Sequence, residues 1–118
     1  MEHQWIEIQG KNKKFNILLG TLYQPSSKSA DKLVWLEKLD NLLSQVVPQH
    51  EGSIIITGDF NIDQSKASNV IHAYADLLET YNLTQHITKP TRHSTALIDH
   101  IVTKGQNLYT RMSYHVMR

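Results

Sequence analysis

Residues 53–63 read Ser-Ile-Ile-Ile-Thr-Gly-Asp-Phe-Asn-Ile-Asp, and no other stretch restricts the fold as much. Three isoleucines and a threonine in succession are β-branched side chains that favour a strand, and a run apolar on both alternating faces reads as a strand buried on both sides. Gly58 ends the run, because glycine lets the chain turn where a side chain would clash. Asp59 and Asn61 are thereby delivered at the end of a rigid strand, with Phe60 between them. A carboxylate and an amide held two residues apart on such a base can share a metal ion, a water or a phosphate. The same letters also suit a Gly-Asp turn that merely caps the strand.

The remaining elements arrange themselves around this strand. Residues 4–9 alternate polar Glu7 with apolar Ile6 and Ile8, a half-buried strand pattern, and residues 10–13 supply a turn. A second strand over 14–23 completes an antiparallel hairpin, and Gln24-Pro25 ends it because proline cannot donate to a continuing ladder. From Ser29 or Asp31, either able to cap a helix, Leu33, Leu36, Leu39, Leu43 and Val46 recur at helical spacing, with Trp35 and Leu42 widening the stripe. Pro48 is expected to close that helix. Val70, Ile71, Tyr74, Leu77, Leu78 and Tyr81 mark a second helix that begins between Ser65 and Ser68 and ends near Asn82. Residues 88–94 carry Pro90 and read as loop, residues 96–103 return to strand composition, and the tail 104–118 has no clear period. Strands and helices in this order predict an α/β chain, one sheet covered by two helices.

Composition narrows the function classes. The chain has 118 residues, 40% hydrophobic and 19% charged, which suits a single globular domain and excludes a disordered or fibrous protein. A net charge of +1 rules out a strongly basic nucleic-acid-binding tail while leaving room for a local basic face. Without cysteine there is no disulfide framework and no thiolate metal site. No apolar run is long enough for a membrane span, and the polar start lacks a signal-peptide core, so an intracellular chain with no membrane partner is expected.

Other chemical candidates lie outside the central strand. Asp99 sits within Leu97, Ile98, Ile101 and Val102, where a carboxylate needs a cation, a metal or a donor, so it belongs either to a site or to a structural salt bridge. The Tyr23 hydroxyl could meet a phosphate, or the ring could simply close the sheet edge. His86, His93 and His100 are equally spaced, yet no His-x-x-x-His pair falls on a helix and no cysteine assists, which argues against zinc. His100 is read as an outer-face residue, and Lys11, Lys13 and Lys14 as solvated surface.

Four blocks together carry a family resemblance: Gly-Thr-Leu-Tyr-Gln-Pro (20–25), Ile-Ile-Ile-Thr-Gly-Asp-Phe-Asn-Ile-Asp (54–63), Leu-Thr-Gln-His-Ile-Thr-Lys-Pro-Thr-Arg (83–92) and Thr-Ala-Leu-Ile-Asp-His-Ile (95–101). In order and spacing the chain resembles the endonuclease/exonuclease/phosphatase superfamily, and more narrowly the endonuclease domain of LINE-type non-LTR retrotransposons, over the C-terminal portion of that domain. The resemblance implies a partial two-sheet α/β sandwich over residues 1–118, and hydrolysis of DNA phosphodiesters assisted by Mg2+ or Mn2+. It implies that Asp59 orients or deprotonates the attacking water and that Asn61 helps hold water and phosphate, both near the metal. It further implies that Tyr23 contacts the scissile phosphate and that Asp99 pairs with a terminal histidine, for which His115 is the candidate.

Departures from the family pattern bear on activity. The family's asparagine and metal-binding glutamate belong to a more N-terminal portion, and Ser113-Tyr114-His115 stands where the family has Ser-Asp-His. The expectation is therefore an impaired or inactive hydrolase with weakly bound metal, nuclear if it meets DNA and able to self-associate through exposed sheet edges. The alternatives are a non-catalytic remnant with a binding or scaffolding role, or a phosphatase of the same superfamily.

Overall fold

The computed structural model describes residues 1–25, 28–62, 68–87 and 99–105, with Asp99 described for its backbone alone. In chain order the elements are β1 (Glu2–Ile8), β2 (Ile17–Tyr23), α1 (Ser29–Gln49), β3 (Ser53–Asp59), α2 (Asn69–Thr80), β4 (Thr84–Gln85) and β5 (Asp99–Lys104). The strands form one five-stranded sheet in the order β1-β2-β3-β5-β4. Only β2 and β3 run parallel, with α1 as the crossover between them; the other neighbours are antiparallel. The expected hairpin of the first two strands is present, as is the α/β architecture of one sheet with two helices.

Both helices contribute to the same core. Leu36, Leu39 and Leu43 of α1 and Val70, Tyr74 and Leu77 of α2 are buried with Leu22, Ile54, Ile56 and Val102 of the sheet. Strand alternation makes the other face carry Ile6, Ile8, Leu19, Ile55 and Ile101. Ile6 is 62% and Ile8 50% exposed, while Leu19, Ile55 and Ile101 are half-buried. This corrects the reading of β3 as buried on both sides. Its burial alternates, with Ile54 and Ile56 enclosed and Ile55 only partly so, because both helices cover one face. On that helix-covered face Trp5 lies across Gly20, so closely that a β-carbon there would sit 2.3 Å from the indole.

Several boundaries move for local reasons. The stretch before β2 is a single 3-10 turn over Lys13–Phe15, capped by the Asn12 side chain accepting from Lys14 N–H, so that strand starts later than expected. Helix α1 begins at Ser29, but neither Ser29 nor Asp31 occupies the capping position; Lys28 does, without a side-chain capping bond. Pro48 does not close the helix but lies inside its last turn, where it forgoes its own amide donor, and the helix runs one residue further. Ser68 caps α2 by accepting from Ile71 N–H at 3.1 Å. At the other end Asn82 adopts φ +54°, and the bonds Asn82 N–H to Glu79 O and Leu83 N–H to Leu78 O close a Schellman motif. The short β4 was not anticipated. The loop expected at 88–94, residues 96–98 of the last expected strand and the tail 106–118 lie outside the described residues, His115 among them. Among the described residues no helix is long and apolar enough to cross a membrane.

Candidate active site

The site candidates gather at one end of the sheet because of strand register. Tyr23 is the α-carbon partner of Asp59 across the parallel β2–β3 pair, and Asp59 is the partner of Asp99 across the antiparallel β3–β5 pair. One transverse row thus runs Tyr23, Asp59, Asp99 over three adjacent strands, and Glu2 on β1, opposite Tyr23, extends it to a fourth. Alternation puts Tyr23 and Asp59 on the face away from the helices, while their neighbours Leu22 and Gly58 face the core. Tyr23 is 45% exposed and Asp59 half-buried. The two acids therefore approach one another from neighbouring strands at the backbone level.

Gly58 permits this close delivery. Its φ is +149°, and a β-carbon there would stand 1.9 Å from the carbonyl oxygen of Leu22. No other residue lets β2 and β3 approach so closely just before the acid. The next bond across the pair is Gln24 N–H to the Asp59 carbonyl at 2.9 Å, and Gln24 is itself 2% exposed.

Beyond the strand, the 59–62 loop alternates. Phe60 and Ile62 are each 1% exposed and turn into the core, whereas Asp59 and Asn61 are half-buried. Asn61 has φ +50°, a left-handed conformation that asparagine tolerates better than most residues. Its backbone N–H donates to Asp59 Oδ1 at 2.9 Å, which fixes the rotation of the carboxylate. Aromatic packing anchors the loop from beneath: Phe60 lies 5.3 Å from Trp35, edge-on to Tyr74 at 6.0 Å, and stacked on His100 at 4.8 Å.

His100 overturns its expected place on an outer face. It is 1% exposed, because the face opposite that of its strand neighbours is the helix-covered one. Its Nε2 lies 3.0 Å from the Ile62 carbonyl and its Nδ1 2.6 Å from the Tyr74 hydroxyl. A carbonyl only accepts, so Nε2 carries the proton and Nδ1 accepts from Tyr74. Burial raises the pKa of that phenol well beyond the ordinary tyrosine range. In the sequence Tyr74 reads as part of an apolar stripe; the signal for its role is a phenol among leucines, whose hydroxyl needs a buried partner. His86, by contrast, is half-buried, bonds Thr103 Oγ1 at 2.6 Å, and has its pKa lowered by loss of water.

A cleft of about 370 Å³ opens beside Tyr23, lined by Glu2, Gln24, Pro25, Trp35 and Lys38, while Asp59 and Asn61 are not on its wall. Among the described residues no three His, Asp or Glu side chains converge as a metal cluster. Asp59 and Asn61 supply hard oxygen donors of the kind Mg2+ or Mn2+ prefers, one carboxylate and one amide, a set that fits an ion keeping most of its waters.

No family model and no curated protein matches the chain in sequence. Solved structures do match in fold. The endonuclease domain of TRAS1, a telomere-specific non-LTR retrotransposon, is 16% identical with a TM-score of 0.64, over 85% of this chain and 47% of that one. An endonuclease/exonuclease/phosphatase family protein from Bacteroides thetaiotaomicron is 19% identical with a TM-score of 0.53, over 86% and 41%. A functionally unknown conserved protein from Enterococcus faecalis is 15% identical with a TM-score of 0.56, over 87% and 44%. The chain thus shares the fold of these structures, the endonuclease/exonuclease/phosphatase family protein among them, as a partial α/β sandwich of one sheet and its two helices, and spans less than half the length of each.

Proposed function

We propose that this chain carries part of the active site of a divalent-metal-dependent phosphodiester hydrolase acting on DNA. The observation that carries the reading is the transverse row of Tyr23, Asp59 and Asp99, continued by Asn61 in the next loop. Asp59, its carboxylate held by the Asn61 N–H, orients a water in line with phosphorus and takes its proton. The Asn61 side-chain amide and the Tyr23 hydroxyl donate to phosphate oxygens as negative charge builds there. In this reading His115, paired with Asp99 of the adjoining strand, stabilises the same charge. A bound Mg2+ or Mn2+, held by Asp59 and Asn61, supplies electrostatic stabilisation of that charge. Action on DNA would require access to the nucleus.

A second reading, a non-catalytic remnant, is favoured by the finding that among the described residues no three His, Asp or Glu side chains converge as a metal cluster. A phosphatase of the same superfamily shares this chemistry and differs in substrate. Plasmid nicking separates the readings. The purified chain is expected to nick supercoiled DNA weakly or not at all, yet to bind Mn2+ in a way that Asp59→Ala abolishes. Robust EDTA-sensitive nicking lost in Asp59→Ala would overturn the remnant reading, whereas Mn2+ binding indifferent to Asp59 would sink the hydrolase reading.

A further inference from the structure

We propose that Tyr74 and His100 form a positioning pair that sets the geometry of Asp59 and Asn61 from beneath the sheet. The inference rests on the hydrolytic reading of those two residues, though its physical content is a claim about the loop that carries them.

The 59–62 loop presents its two polar residues away from the core only because Phe60 and Ile62 are held within it. His100 touches both fasteners. Its ring stacks on Phe60 with centroids 4.8 Å apart and planes 24° from parallel, and its Nε2–H donates to the Ile62 carbonyl at 3.0 Å. Asn61 lies between these two points of attachment, in the left-handed conformation that aims its N–H at Asp59 Oδ1.

Tyr74 completes the device. A neutral imidazole carries one ring proton, and which nitrogen holds it depends on the partner of the other. The Tyr74 hydroxyl, 2.6 Å from Nδ1, donates to that nitrogen and leaves the proton on Nε2, where the Ile62 carbonyl requires it. The phenol is also edge-on to His100 at 5.0 Å and to Phe60 at 6.0 Å, which restricts the tilt of the imidazole. Helix α2, strand β5 and the loop after β3 are thus joined at one buried point. Because His100 directly follows Asp99, the strand that brings Asp99 into the transverse row also anchors the loop bearing Asp59 and Asn61.

The pair touches neither substrate nor metal, so its role is read first from the loop itself. In nitrogen-15 spectra of the intact chain, His100 is expected as the Nε2–H tautomer; an Nδ1–H tautomer would overturn the assignment. His100→Leu is expected to speed hydrogen exchange at the Asn61 amide by about tenfold or more, while the Ile55 and Leu77 amides stay within a few-fold of wild type. His100→Gln, whose amide nitrogen can still donate to the Ile62 carbonyl, is expected to restore most of the Asn61 protection. Tyr74→Phe, which deletes one oxygen, tests the same link if the leucine variant fails to fold, and is expected to move Asn61 in the same direction by less. Unchanged exchange at Asn61 in the variants, or a uniform rise at every amide in both Tyr74→Phe and His100→Leu, would mean that the pair serves the core as a whole and would refute the proposal. Plasmid nicking and Mn2+ binding by the unmodified chain report on the hydrolytic reading and leave the exchange comparison intact, so the two can fail separately.

Discussion

Replacing Gly58 with alanine puts a methyl group where the second strand already runs. The added β-carbon would stand 1.9 Å from the Leu22 carbonyl oxygen, 2.9 Å from its carbon and 3.1 Å from the Leu22 nitrogen, all backbone atoms that cannot swing aside. Relief requires β2 and β3 to part by more than an ångström, since an unstrained carbon-to-oxygen contact is roughly 3.3 Å or longer. The backbone angle adds to the cost, because φ +149° is a region that residues with a β-carbon occupy only under strain of about 1–3 kcal/mol. Parting the strands also weakens the Gln24 N–H bond to the Asp59 carbonyl, worth about 1 kcal/mol. Together these effects amount to about 3 kcal/mol, a large share of the stability of a small domain. Urea unfolding followed by far-ultraviolet circular dichroism should show the midpoint falling by about 2 M, taking a slope of about 1.5 kcal/mol per molar. A midpoint within about 0.3 M of wild type would refute the claim that the carbonyl of Leu22 occupies that space.

Two further outcomes follow from shifted ionisation. The Tyr81 hydroxyl donates to the Asp40 carboxylate, which pushes its pKa up to about 12, so the folded chain retains this proton where the unfolded chain loses it. Its contribution is whole below about pH 10 and lost between about 10 and 12; Tyr81→Phe should flatten that part of a stability-versus-pH curve, Tyr74 contributing the same slope to both proteins, and superimposable curves would contradict the prediction. His86 is shifted the other way, its charged form disfavoured by burial, so the unfolded chain binds the proton first as pH falls. Stability should decline below about pH 6.5, less steeply in His86→Gln, whose amide can still bond Thr103; equal slopes in thermal unfolding between pH 7 and 5 would show that His86 is not the cause.

Much of the fold was legible because period and punctuation agreed. The isoleucine run, Gly58, the helical spacing of Leu36, Leu39 and Leu43, and the Ser68 cap each act within a few residues, where local chemistry decides the outcome. What sequence reading missed depends on which face of the sheet the helices choose. Periodicity makes the two faces of β3 look equally apolar, and only the common placement of α1 and α2 leaves Ile55 half-buried while Ile54 is enclosed. The same unknown misplaced His100. Alternation with Asp99 was visible, but whether the opposite face met water or helix was not, and the tyrosine that satisfies the imidazole lies 26 residues earlier in the chain.

The site divides along the same line. Asp59 and Asn61 could be singled out because the glycine before them and the phenylalanine between them announce a strand end and an alternating loop. That Tyr23, Asp59 and Asp99 share a transverse row is a matter of register between separate strands, and register is a property of pairs. A one-residue slip of β5 would set His100 opposite Asp59 and carry Asp99 out of the row. The buried bond from His100 to the Ile62 carbonyl therefore opposes such a slip, since the slip would place a polar ring on the face without helices. The contact that secures the loop thus also discriminates between registers, and the apposition of the two acids depends on a side chain that belongs to neither.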